Sequence, residues 1–372
     1  MKLYQLALIG GLLFSGYVAA NGVYPVLVPS VTAQHEYEIP SGAPADDYIW
    51  NQGYIGSYGY NQRSFPFNCN YPDIQQTCTH QSNRSTIMVM FKERRSGMQF
   101  SLKLYGYLNR YFYNASSPDD SVVCGSGAPL NDNLYASCGA NYSITTNSRL
   151  LTVWIPQSEM NRLPIGGVWE GHLQLITGGN WSGHKYTADI TLKGKATGKQ
   201  DIYFPEFNGA NPLVQLDLHP TGSVTSNSYV EDVTNLDMCL YDGFNSNSDS
   251  MTLSFKDEGK AGAARKDGYF SIYNTATGET DEAERIDYRV EMFDPHSKGW
   301  RTVKNNDSFT LSAGVNGQDQ IRPVRLPSIT YPVLCAPAPL RLIVDKFRVT
   351  DKSAGYYKGV LTVEFSPSLN SI

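Results

Sequence analysis

The groups that could do chemistry in this chain are few and badly placed for catalysis. Glu93 stands beside Arg94 and Arg95, and Asp119 beside Asp120, so carboxylates are available for acid or base work. Acids paired in loops are, as a rule, simply solvated. The stretch Gly125-Ser126-Gly127 lacks the G-x-S-x-G pattern of a nucleophile elbow. From Gly194 to Lys199 the glycines are too close for a phosphate loop, and no Ser or Thr follows the lysine. The six histidines (His35, His80, His172, His184, His219, His296) never fall at metal-ligand spacing. Sequence therefore speaks against an enzyme and offers no metal or cofactor site.

Binding residues are better represented. Arg63 lies in an aromatic-rich stretch, Tyr54 to Phe67, just before Cys69. Aromatic faces stack on the apolar faces of sugars, and a guanidinium donates fixed hydrogen bonds to hydroxyls or carboxylates. Trp181, His184 and Lys185 form a second candidate loop, where a tryptophan among glycines has no strand to join. His172 alternates with Glu170 and Gln174, which places it on a solvent-facing strand surface. A net charge of −5 argues against a nucleic-acid partner, and charged residues at 17% with 25 tyrosines fit an extracellular β protein.

The elements that must carry these loops are strands. Apolar and polar residues alternate over Met98–Tyr105, Tyr186–Leu192 and Ile286–Met292, the period of half-buried antiparallel strands. Further strands are expected over Ile87–Phe91, Leu150–Ile155, Val168–Leu175, Val214–Leu218, Met251–Phe255, Arg341–Val344 and Val360–Phe365. One helical turn is expected across Gln157–Arg162. The fold class is all-β, and the 372-residue length implies two domains. The polar, glycine-bearing segment Lys193–Asp201 places the boundary at residues 198–200.

Residues 1–20 read as a signal peptide: Lys2, an apolar run from Leu6 to Phe14, and the small-residue exit Val18-Ala19-Ala20. No later stretch is long and apolar enough for a membrane-spanning helix, so no membrane insertion is expected. In an exported chain the six cysteines should be oxidised. Many pairings are possible. Loop closure favours Cys69 with Cys78 and Cys124 with Cys138, leaving Cys239 with Cys335 as a long clamp. Near the C-terminus Leu361, Val363 and Phe365 share one face of a strand that no later strand covers. An uncovered apolar edge is an aggregation hazard, which proteins manage by accepting a partner's strand.

Four blocks in order are recognisable: Asn161-Arg-Leu-Pro-Ile-Gly-Gly-Val-Trp169, Leu236-Asp-Met-Cys-Leu-Tyr-Asp-Gly243, Tyr331-Pro-Val-Leu-Cys-Ala-Pro337 and Ala354-Gly-Tyr-Tyr-Lys-Gly359. Together they resemble the minor tip adhesins and pilus initiators of class-five (alternate chaperone pathway) fimbriae, the CfaE/CooD/CblD family. The resemblance implies two immunoglobulin-like β-sandwich domains in tandem: an adhesin domain at 21–197, a linker at 198–200 and a pilin domain at 201–372. It implies that the pilin domain is an incomplete sandwich, filled first by a periplasmic chaperone and then by a donor strand of the major pilin at the outer-membrane usher. Its family receptor site is a basic patch with an arginine ahead of the first cysteine, which Arg63 matches. The family's neighbouring arginine pair is absent; the loop reads Thr177-Gly-Gly-Asn-Trp-Ser-Gly-His-Lys185, so Trp181, His184 and Lys185 stand in its place. The expectation is a tip adhesin, carried through the periplasm to the fimbrial tip, that binds a host-cell glycan or glycoprotein. The alternatives are a non-adhesive pilus initiator and a free secreted carbohydrate-binding protein.

Overall fold

The computed structural model describes residues 26–58, 66–112, 122–131, 147–179, 183–195, 199–220, 223, 225–245, 248, 250–260, 264–294, 297–312 and 321–368. The expected leader at 1–20, Arg63, Trp181 and the Cys124–Cys138 bridge lie outside the described residues.

The chain is built of strands, in two consecutive halves, each with its own main core, and Leu334 of the second half packs into the core of the first. In the first half these are β1 (Ser30–Glu38), β2 (Asp47–Tyr58), β3 (Phe67–Asn68), β4 (Thr77–His80), β5 (Ser85–Glu93), β6 (Gln99–Phe112), β7 (Val122–Pro129), β8 (Asn147–Ile155), β9 (Gly167–Thr177) and β10 (Lys185–Lys195). They make one ten-stranded sheet in the order β1-β10-β9-β5-β6-β8-β2, with β3 on β9, β4 on β5 and β7 on β6. Alternation decides which face goes inward: Ile87, Val89 and Phe91 of β5, Leu102 and Leu104 of β6, and Leu151, Val153 and Ile155 of β8 are all buried in one core. A single sheet can enclose a core only by folding over. Its two ends do meet, because β1 touches β2 and the Tyr186 hydroxyl of β10 donates to the Ile55 carbonyl of β2 at 2.8 Å. Burial pushes the Tyr186 and Tyr37 hydroxyls up to about 12.

One helical turn, α1 (Gln157–Met160), sits where one was expected. The alternation missed β1, and β1 pairs in parallel with β10, Ser30 opposite Thr187 through Glu38 opposite Lys195. The Tyr54–Phe67 stretch is also less of a loop than expected. Tyr54 and Ile55 belong to β2 and are buried, and Phe67 of β3 is fully buried with its ring edge-on to Tyr186 at 5.4 Å.

The second half contains β11 (Asp201–Tyr203), β12 (Tyr229–Leu236), β13 (Cys239–Tyr241), β14 (Ser250–Asp257), β15 (Phe270–Asn274), β16 (Arg285–Asp294), β17 (Gly299–Val303), β18 (Asp307–Ser312), β19 (Arg322–Val324), β20 (Val333–Pro337), β21 (Leu340–Arg348), β22 (Tyr357–Lys358) and β23 (Leu361–Pro367). They form three small sheets around one core: β11-β13-β20-β19, β12-β21-β16-β15-β22 with β17 on β16, and β18-β14-β23. Disulfides join Cys69 to Cys78 and Cys239 to Cys335, with Cα atoms 5.5 and 5.7 Å apart. The long bridge ties β13 to β20 and closes most of the second half into one loop.

Two recognisable blocks have local reasons. Gly167 has φ +118, and a Cβ there would lie 2.6 Å from Glu93 Oε1. The space goes to the buried Glu93 carboxylate, which accepts hydrogen bonds from the amides of Arg95 at 2.9 Å and Ser96 at 2.6 Å, and from the Ser96 hydroxyl at 2.8 Å. Glu93 is thus the brace of a tight turn, not a solvated acid. In the last block, Gly355 and Gly359 let the chain approach Asn274 and the Ser271 carbonyl, where a Cβ would lie within 2.5 and 3.0 Å. That approach aims the chain into β23.

Candidate functional site

The strongest candidate is the edge formed by β23. This strand runs antiparallel to β14, with Leu361 opposite Asp257, Val363 opposite Phe255 and Phe365 opposite Leu253. The other side of β14 carries β18. Among the described residues β23 therefore has one strand partner, and its second edge has no ladder. The burial follows the pairing. On β14, flanked on both sides, Leu253 and Phe255 are fully buried and Met251 nearly so. On β23 the inward-facing Leu361, Val363 and Phe365 touch the same core but stay half-buried.

A second stretch shares this condition. Residues 211–220 alternate between exposed and half-buried with the period of a strand, and Val214, Leu216 and Leu218 rest on the same core. The expected strand over Val214–Leu218 is not realised, however. A strand needs a neighbour's ladder, and among the described residues this segment has none. Its Asp217 amide is met by the Asp232 carboxylate at 3.2 Å, and Leu213 is 84% exposed. Two strand-like stretches with unfilled ladders thus abut one core. The chemistry this allows is backbone pairing with an added strand, alternate side chains entering the apolar face. The outward Glu364 pairs with Lys256 on the exposed side, an interaction worth little by itself.

Of the sugar-site candidates, His184 and Lys185 are described, at the β9–β10 hairpin. His184 and Thr177 close the β9–β10 hairpin: the Thr177 amide donates to the His184 carbonyl at 3.0 Å, and the His184 amide to Thr177 Oγ1 at 3.0 Å. Lys185 opens β10, opposite Ile176, with its side chain exposed. The chain leaving the Arg63 stretch enters beside this hairpin, because Phe67 pairs with Thr177 and the Gly178 amide donates to the Pro66 carbonyl at 2.6 Å. The bases of the two loops are therefore joined. The stretch bearing Arg63 and the tip bearing Trp181 lie outside the described residues. His172, facing outward as expected, meets Asp189 at 2.7 Å. Among the described residues no group of acids, histidines and cysteines could hold a metal, and no helix is long and apolar enough to cross a membrane.

The chain is thus all-β, in two halves, and among the described residues the second half has a terminal strand with one unpaired edge. The family model for the first domain of CfaE, a CFA/I fimbrial protein, matches residues 17–197, and the model for its second domain matches residues 200–369. CfaE of the CFA/I fimbriae of Escherichia coli is 28% identical over 308 residues, covering 82% of this chain and 77% of that protein. The crystal structure of CfaE, the adhesive subunit of CFA/I fimbria of enterotoxigenic Escherichia coli, superposes with a TM-score of 0.65 at 24% identity, covering 91% of this chain and 92% of that one. A structure described as a chaperone–tip adhesin complex of CFA/I fimbriae gives 0.51 at 23% identity, covering 92% and 97%. The chain belongs to the CfaE family of fimbrial proteins.

Proposed function

We propose that this protein is a fimbrial tip adhesin that assembles by accepting a strand from a neighbouring protein. The observation that carries this reading is the half-buried state of Leu361, Val363 and Phe365 on a strand with one partner. In the periplasm a chaperone strand fills the open position; at the usher a donor strand of the major pilin replaces it, and the protein stays at the tip of the fibre on the cell surface. Residues 201–372 serve as the pilin domain, residues 21–197 as the adhesin domain, and 198–200 join them. The relative seen with a chaperone supports the first partner.

The adhesin domain meets a host-cell glycan through its end loops, with Arg63 donating to the sugar, Trp181 stacking, and His184 and Lys185 supplying positive charge. Single sugar contacts are weak, so many tips on many fibres provide the avidity. A second reading, a non-adhesive initiator, is favoured by the missing arginine pair in Thr177–Lys185. Co-expression with the chaperone tests the assembly role: a stoichiometric complex is expected, and a chain that purifies alone and ignores both chaperone and donor peptide would contradict it. Host-cell adherence of bacteria bearing Arg63→Ala separates the readings. Loss supports adhesion, and unchanged adherence supports initiation.

A further inference from the structure

An aromatic row crosses the outer face of the first half. Register places Thr79 of β4 opposite Thr86 of β5, Thr86 opposite Tyr105 of β6, Tyr105 opposite Trp154 of β8, and Trp154 opposite Tyr48 of β2. Directly paired residues share a face, so these five side chains form one line across five adjacent strands. The rings are in contact: Trp154 lies 6.1 Å from Tyr48 with planes inclined by 25°, 5.5 Å from Tyr105 and 5.7 Å from Tyr107. The Arg84 guanidinium sits 3.8 Å from the Tyr105 ring centre and closes one end of the row. Tyr48 at the other end is 50% exposed.

The polar tips of these rings set them apart from the other aromatics. Trp50 and Trp169 donate their indole N–H groups to the Val28 carbonyl at 3.0 Å and the Ile165 carbonyl at 3.1 Å, as buried indoles do. Trp154 Nε1 and the hydroxyls of Tyr48, Tyr105 and Tyr107 have no partner among the described residues. Arg84 uses Nε on Gln81 at 3.0 Å, leaving its terminal amines unbonded among the described residues. Beside the row on the same face stand Thr77, Met88, Lys103, Tyr107 and Thr152. They include one more cation and no carboxylate. In a chain of net charge −5, this face combines one exposed ring, Tyr48, with the half-buried rings of Trp154, Tyr105 and Tyr107, free donors and two cations.

The geometry points to a second sugar-binding platform, one that takes an acidic oligosaccharide: a pyranose ring stacks on Trp154 and Tyr48 while the glycan's carboxylate is held by Arg84 across Tyr105. Cross-strand neighbours are about 5 Å apart, so the line from Tyr48 to Arg84 suits a short oligosaccharide rather than a single ring. The inference rests on reading the first half as glycan-facing, but not on the Arg63 loop.

The test is a titration of the full chain with 3′-sialyllactose, and with lactose as the neutral counterpart, followed by saturation-transfer NMR and tryptophan fluorescence. Sialyllactose is expected to bind better than lactose. Arg84→Gln should weaken sialyllactose by about tenfold, the scale of a hydrogen bond to a charged group, and erase the preference over lactose. Trp154→Ala should abolish the transfer signal. The more exposed Tyr48→Ala should weaken it with the melting curve retained, which guards against a misfolded Trp154 variant. Sialyllactose held no better than lactose, or a titration indifferent to Tyr48→Ala and Arg84→Gln, overturns the platform. A titration abolished by Arg63→Ala and indifferent to those two variants places the sugar in the end loops, which overturns the platform and leaves the adhesin reading standing.

Discussion

The last strand of each half carries the same kind of pattern and meets a different fate. In β10, Tyr186, Ala188, Ile190 and Leu192 alternate inward; in β23, Leu361, Val363 and Phe365 do so. The first set is 4% exposed or less, because β9 holds one edge of β10 and β1 lies parallel along the other. The second set is half-buried, because β14 holds one edge and nothing described holds the other. Side-chain chemistry does not separate the two strands. A backbone neighbour does: a ladder on each side excludes water from both flanks of the inward row. The first half supplies that neighbour from its own N-terminal segment, whereas among the described residues the second half supplies none.

Several substitutions would break or sharpen this contrast. The largest effect is expected at the covalent clamp: Cys239→Ser should cost the second half about 4–5 kcal/mol, as expected for opening a loop of that length, read as loss of its thermal transition. Next comes the direct comparison. Leu192→Ala in β10 should cost about 2–5 kcal/mol, the range for a buried leucine, while Val363→Ala in β23 should cost about 1 kcal/mol in the free chain, because part of its surface is already wet. Equal costs in urea melts would break the comparison.

Smaller effects probe the supports. Gly167→Ala should destabilise the first half by about 1–3 kcal/mol, since its φ is left-handed and its space belongs to Glu93. The buried tyrosines give a pH signature to the first half. Tyr186 and Tyr37 stay protonated to about 12 when folded, against 10.0 as their ordinary value. Above pH 10 the unfolded chain therefore releases protons that the folded chain keeps, and stability falls as pH rises toward 12. Thermal melts from pH 9 to 12 should show that decline, blunted in Tyr186→Phe. At the bottom of the scale, Glu364→Gln removes an exposed ion pair and should shift stability by less than about 1 kcal/mol.

Much of this was legible in the residues. Alternation located the inner strands because an inward row repeats every second residue, and it also marked Leu361, Val363 and Phe365 as a face in need of cover. It failed where the pattern is set by contacts distant in sequence. In β1 the run Ser30–Glu38 is mostly polar and becomes a strand through its parallel register with β10, which local spacing cannot reveal. Val214–Leu218 has a strand's alternation but lacks the neighbour that would make it one. Glu93 looked like a free acid because nothing local says that Gly167 opens a space for it. The aromatic row draws single residues from β2, β6 and β8, so only the sheet register assembles it.

Hydrogen exchange measures the central difference most directly. Backbone amides of residues 185–192 and 361–367 would be followed by mass spectrometry in the free chain and in its complex with the periplasmic chaperone. The account predicts slow exchange for 185–192 in both states, and for 361–367 fast exchange in the free chain of the amides that face the open edge, slow in the complex, while those laddered to β14 are protected in both. Equal protection of 361–367 with and without the chaperone would contradict it.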